Sequence, residues 1–173
     1  MATRTGKNWA YQEDVTAANF NKFPQGAIGR VQSTSTQSSI STTEVALTGY
    51  SLTVSTQGGP RQHRVEATVH VKPAAGLIVP TPNTAGGDIA GNQQMTVRIR
   101  KGNITGDIIG RVQIPTPSDD VASTAYCFGI NTSASGSETY IATVEGYGLT
   151  TWETTNDSNR PGWFTVTDEG PAF

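Results

Sequence analysis

The run 62–71 alternates without interruption from Arg64 onward, with Val65, Ala67, Val69 and Val71 on one side of an extended chain and Arg64, Glu66, Thr68 and His70 on the other. Successive side chains of a β-strand point to opposite faces, so this run buries one face and wets the other. Shorter runs of the same kind cover 28–33, 43–47, 50–55, 93–100, 107–114, 122–130, 137–146 and 162–168. Turn clusters separate them at intervals of about ten residues, the spacing of an antiparallel sandwich. The predicted fold is all-β: an antiparallel β-sandwich or jelly roll of about eight or nine strands. Met95, Val97 and Ile99 are predicted to face inward, and Lys101–Gly106 to turn 93–100 into 107–114 as a hairpin. The segment 72–92 holds Pro73, Pro80 and Pro82 with four glycines. It reads as a long loop, and such loops carry function or an interface.

Residues 1–27 have no such alternation and read as an N-terminal arm ahead of a domain spanning 28–173. Asp14 caps a predicted helical turn over 14–21 that carries Val15. A helix so short is unstable alone in water. Trp9, Tyr11, Phe20, Phe23 and Pro24 therefore need a surface to rest on, which makes these seven residues the candidate anchoring set.

Twelve Lys and Arg against fourteen Asp and Glu give a net charge of −2, too balanced for a nucleic-acid-binding protein. The single cysteine, Cys127, excludes an intrachain disulfide, and no stretch is apolar enough to span a membrane. With no apolar stretch behind Arg4 and Lys7 at the N-terminus, the chain is expected to be made in the cytoplasm. Asn-x-Ser/Thr triplets at Asn103, Asn131 and Asn156 are expected from chance in a chain this rich in Ser and Thr.

Nucleophilic catalysis needs a Ser or Cys near a His that a carboxylate orients. His63 and His70 lie seven residues apart on one strand, hence on opposite faces, and read as ordinary surface or half-buried side chains. Cys127, between Tyr126 and Phe128, reads as a small core hydrophobe. Asp88, Asp107, Asp119 and Asp120 lack the spacing of a calcium loop and read as turn residues. No catalytic residue, cofactor or metal is expected. Tyr147, Trp152 and Trp163, with Tyr140, form a candidate ligand surface, because aromatic faces stack on sugar rings; the competing reading puts them in the core or a subunit seam. A cleaving enzyme would add Asp119, Asp120 or Glu153 as carboxylates. Arg64, Arg98, Arg100 and Arg111 are candidates for an outward basic stripe, or for ion pairs with partners such as Glu66.

Three segments are similar to one family. They are Trp9 with 14–21 and Phe23-Pro-Gln-Gly-Ala-Ile-Gly-Arg-Val31, then Ile40-Ser-Thr-Thr-Glu-Val-Ala-Leu-Thr-Gly-Tyr-Ser-Leu-Thr-Val54, then Phe164-Thr-Val-Thr-Asp-Glu-Gly-Pro171. Together they resemble the minor tail proteins of tailed phages of actinobacteria, although Asn19-Phe20 stands where that group commonly has an acidic residue and Leu. The resemblance implies a virion protein with a β-sandwich body and an anchoring arm, and it brings no catalytic residue. The expected partners are other virion proteins, further copies of the chain in a homotrimer, and a host cell-surface glycan. The alternatives are a capsid decoration or head-fibre protein docked on the major capsid protein, and a cell-wall carbohydrate-binding domain.

Overall fold

The computed structural model describes residues 24–56, 59–74, 94–115, 122–147 and 151–172. Nine strands form in chain order: β1 (Gly26–Ser33), β2 (Val45–Ser55), β3 (Arg61–Pro73), β4 (Gln94–Lys101), β5 (Ile108–Pro115), β6 (Ser123–Ala134), β7 (Ser137–Tyr147), β8 (Trp152–Thr154) and β9 (Gly162–Pro171). Every pairing is antiparallel: β1 with β9, β2 with β7, β3 with β6 and β4 with β5. These four nested pairs are what a long hairpin gives when it rolls up, and they make the fold a jelly roll. The strands run β1-β9-β3-β6 and then β5-β4-β7-β2. The two halves meet at β5–β6 through one residue pair, Gly110 and Gly129. A Cβ on Gly129 would lie 2.5 Å from the Ile109 carbonyl oxygen, so this corner needs glycine for the backbones to approach.

The inward rows form one core. Val65, Ala67, Val69 and Val71 of β3 meet Met95, Val97 and Ile99 of β4, Val144 of β7 and Phe164 and Val166 of β9, all fully buried. At ~1.5–3 kcal/mol for each large apolar side chain removed from water, this row fixes the register of the central strand.

Three departures from the sequence reading have local causes. The runs 43–47 and 50–55 are one strand, β2, interrupted by a register shift between Ala46 and Ser51. Gly49 there adopts φ 80°, and the extra residues reset the alternation so that Leu47 and Tyr50 both face the core. The Gln37 side chain covers the irregularity, accepting from Thr48 N at 2.9 Å and donating to Ala46 O at 3.1 Å. Strand β8 carries too few residues to show a period; it pairs with Val71–Pro73 of β3. The body begins at Gly26, two residues before the predicted boundary at 28. Of the anchoring set, Trp9, Tyr11, Asp14, Val15, Phe20 and Phe23 lie outside the described residues, and Pro24 is exposed just ahead of β1. The apolar patch at 77–79 and Asp88, Asp119 and Asp120 also lie outside them.

Candidate functional site: the outer face of the β1-β9-β3-β6 sheet

Registers across β1, β9, β3 and β6 place their outward side chains in cross-strand rows. One row reads Gln32, Trp163, Thr68, Tyr126. The next reads Arg30, Thr165, Glu66, Phe128. Beyond it, Thr167, Arg64 and Ile130 align. Small hydroxyl side chains and Glu66 thus floor a shallow trough. Tyr126, Phe128 and Ile130 stand along one side, and Trp163 with Arg30 along the other.

Tyr126 and Phe128 are 52% and 57% exposed, the two most exposed large hydrophobic side chains among the described residues. Their rings lie 6.4 Å apart, tilted by 33°. Across the trough the Arg30 guanidinium carbon sits 3.6 Å above the Trp163 ring centre, a cation–π stack that fixes both. Glu66 accepts from the Tyr126 hydroxyl and, at 2.8 Å, from Arg64 Nη2. That bond to the Glu66 carboxylate raises the Tyr126 hydroxyl above its ordinary range and keeps it protonated. Beside the first row, His70 Nδ1 lies 2.9 Å from Thr124 Oγ1. The face therefore offers flat apolar surface next to ordered, planar polar groups.

The inward row of the same strands ends in charge. Arg61 and Asp168 are both buried and form an ion pair, and Asp168 also accepts from Gly170 N at 2.7 Å. His63, fully buried, places Nδ1 2.9 Å from the Tyr140 hydroxyl, which accepts from Asn131 Nδ2 at 2.8 Å. His63 Nε2 is buried with no hydrogen-bond partner. Burial lowers the His63 pKa, against the Asp168 and Glu138 carboxylates, which favour its charged form. Burial also pushes the Tyr140 hydroxyl up to about 12. Glu138 accepts from Ser135 N at 3.1 Å and meets Lys101 Nζ at 3.0 Å. These groups hold one end of the roll together, and Arg61, His63, Asn131, Glu138, Tyr140 and Asp168 among them are buried.

The expected ligand aromatics do not assemble. Trp163 is on the trough, but Tyr147 stands 45% exposed on the outward row of β7 in the other half of the roll. Trp152 is 0% exposed, packed into the core beside Ile40, and Tyr140 is buried in the polar end, so neither can present a ring to a ligand. For these two the competing core reading holds. His63 is buried rather than surface or half-buried, because it shares the parity of Val65 and the strand continues inward as far as Arg61. His63 and His70 do face opposite ways. Glu153 is tied to Lys72 at 3.3 Å. Cys127 is a core side chain whose thiol burial pushes up to about 11. Asn131 and Asn156 are buried, so two of the three triplets cannot carry a glycan in the folded chain. Among the described residues no group of three or more His, Cys, Asp or Glu is placed to hold a metal ion.

The basic stripe does not form either. Arg64 lies on the trough, whereas Arg98 and Arg100 lie on β4 in the other half. Arg100 donates to both carboxylate oxygens of Glu44, at 2.7 and 2.8 Å, and Arg98 pairs with Glu145 and Glu44. The Arg100 guanidinium holds the Glu44 carboxyl below its ordinary range.

Tyr126 and Phe128 are the site residues that sequence reasoning missed. The signal was present: in 125–130 both alternating sets are apolar, with Ala125 and Cys127 buried and Tyr126, Phe128 and Ile130 exposed. A strand apolar on both faces is either buried twice or carries a binding surface.

No protein-family model and no curated protein matches the chain. Among solved structures, it is similar to TmCBM61 in complex with β-1,4-galactotriose, with 13% identity, 69% of this chain and 61% of that one covered, and a TM-score of 0.34. It is similar to a β-1,3-glucan-binding CBM6 from Bacillus halodurans, with 13% identity, 86% and 91% covered, and a TM-score of 0.34. Bacillus endospore appendages, a family of disulfide-linked pili, match at 13% identity over 80% and 99%, with a TM-score of 0.29. Likenesses this distant assign no ligand, partner or activity to the chain.

Proposed function

We propose that this chain is a non-enzymatic attachment and structural module of a tailed-phage virion, a minor tail protein held by its N-terminal arm. Its jelly roll is held outward as a homotrimer, with the trough of β1, β9, β3 and β6 as the contact surface. One observation carries this reading: in a roll with a filled core, Tyr126 and Phe128 remain exposed side by side on one ordered outer face. Leaving two such rings in water is unfavourable by roughly 25 cal/mol per Å², a cost that a contact surface recovers on binding. The virion setting rests on the three resembling segments, and the anchoring role on the aromatic residues ahead of Gly26.

Phage encoding the chain without residues 1–23, which leaves β1 intact, are expected to assemble particles that lack the protein, while the truncated domain stays folded in the lysate. Its incorporation at the normal level would remove the anchoring role. Hundreds of copies in each wild-type particle, counted by quantitative mass spectrometry, would move the protein from tail to head.

A further inference from the structure

The arrangement of the trough specifies the chemistry of its occupant. Polar groups part its two sides: Thr68 separates Trp163 from Tyr126, and Thr165 and Glu66 separate Arg30 from Phe128. The desolvated centre of a protein interface excludes charge, so a floor that carries Glu66 between the two sides suits a polar ligand better than a second protein. The charges are also nearly matched. Glu66 is paired with Arg64, and Arg30 lies on Trp163, which leaves too little positive charge to favour a polyanion.

A sugar chain has the complementary pattern. Each ring presents an apolar C–H face for stacking and a rim of neighbouring hydroxyls for planar, two-pronged groups such as carboxylate and guanidinium. Strands lie ~4.8 Å apart, so the β6 and β9 side chains stand about 10 Å apart across the floor, and rows follow at ~6.8 Å along it. The span across the floor matches the width of a single sugar strand lying over Thr68 and Glu66 of β3. The Tyr126–Glu66–Arg64 hydrogen bonds fix the polar groups before any ligand arrives, which lowers the ordering cost of binding.

We propose that the trough binds a neutral, hydroxyl-rich polysaccharide strand, stacked on Phe128 and Tyr126 and hydrogen-bonded by Glu66 and Arg30. This rests on the attachment reading above and names the ligand class of the same surface.

The test titrates the 15N-labelled full chain with soluble neutral hexasaccharides of glucose, galactose, mannose and arabinose. At least one is expected to shift amides of β3, β6 and β9 at millimolar or lower concentration. Phe128→Ala and Tyr126→Ala should each weaken it tenfold or more, and Tyr147→Ala less than twofold. Both weakening substitutions are at exposed positions, and an unchanged thermal unfolding midpoint shows that each variant folds. Phe128→Tyr keeps the ring and should restore binding. The proposal is overturned if no hexasaccharide perturbs these strands at 10 mM, a concentration at which about 1 mM affinity would be seen. It is equally overturned if Tyr147→Ala alone abolishes binding, or if Phe128→Ala converts a sedimenting oligomer to monomer with no sugar response, which would make the occupant a second copy. Adsorption of phage carrying Phe128→Ala separates the two ideas. Lost adsorption without sugar binding sinks the ligand class and leaves the attachment reading, whereas sugar binding with normal adsorption sinks the attachment reading and keeps the ligand class.

Discussion

Strands β3, β6 and β9 carry two rows of opposite character, and each row reverses what burial alone would choose. At one end the inward row is charged or polar, with Arg61, His63, Asn131 and Asp168 out of solvent. The outward row of the same strands is aromatic, with Trp163 half-buried and Tyr126 and Phe128 in water. The difference lies in what completes each row. The inward groups find partners inside the molecule, Arg61 with Asp168 and His63 with Tyr140. In the outward row Glu66 meets the Tyr126 hydroxyl and Arg30 covers Trp163, while the Tyr126 and Phe128 ring faces stay exposed. A buried charge without its partner is costly, while an exposed ring costs little to the fold. The first row therefore specifies how the end of the roll closes, and the second remains available to a ligand.

The sharpest way to break that contrast is at the ion pair. Asp168→Ala removes the carboxylate that faces the buried Arg61 guanidinium and is expected to cost about 3–5 kcal/mol, measured by urea unfolding. Replacing both partners together, Arg61→Met with Asp168→Leu, should recover most of that loss, since well-packed apolar side chains replace such pairs at little cost. A double variant as unstable as the single one would show that the pair is not the unit that matters.

A smaller effect is expected from pH. Burial lowers the His63 pKa in the folded chain, so below about pH 6.5 the unfolded chain binds more protons than the folded one. Stability should be level above that pH and decline as pH falls from about 6.5 toward the lower folded value. His63 faces Arg61 and Lys101, which oppose its protonation, and Asp168 and Glu138, which do not overcome burial. Unfolding curves of His63→Gln should lack this decline. A decline of the same size in the variant would assign it to the carboxylates, whose loss belongs at lower pH.

The smallest effect belongs to the outer face. Phe128→Ala removes an exposed ring lying opposite Glu66 and should change stability by no more than about 1 kcal/mol, the range of a cross-strand pair. A larger loss by thermal unfolding would mean that Phe128 serves the fold and would remove the contrast between the two rows.

Period-2 alternation in the sequence determined that β3, β4 and β9 are strands and which of their faces is apolar, because a pleated chain has only two sides. Val65 to Val71 follow that rule residue by residue, and Met95, Val97 and Ile99 face inward as it requires, although Thr96 on the opposite face of β4 is buried as well. Carried further, it also places Arg61, His63 and Asp168 inward, a reading that ordinary expectations about charge override. Tertiary structure alone decided three matters. Gly49 joins two runs into one strand, since a bulge resets the parity that a period would need. Pairing with β3 draws a strand of three residues at Trp152 into the core, where no local signal is long enough to read. Nested pairing brings Trp163, Glu66 and Phe128, distant in the chain, onto one face and parts Trp163 from Tyr147. Local chemistry fixes which way a side chain points, but only long-range register fixes its neighbours, and a binding surface is made of neighbours.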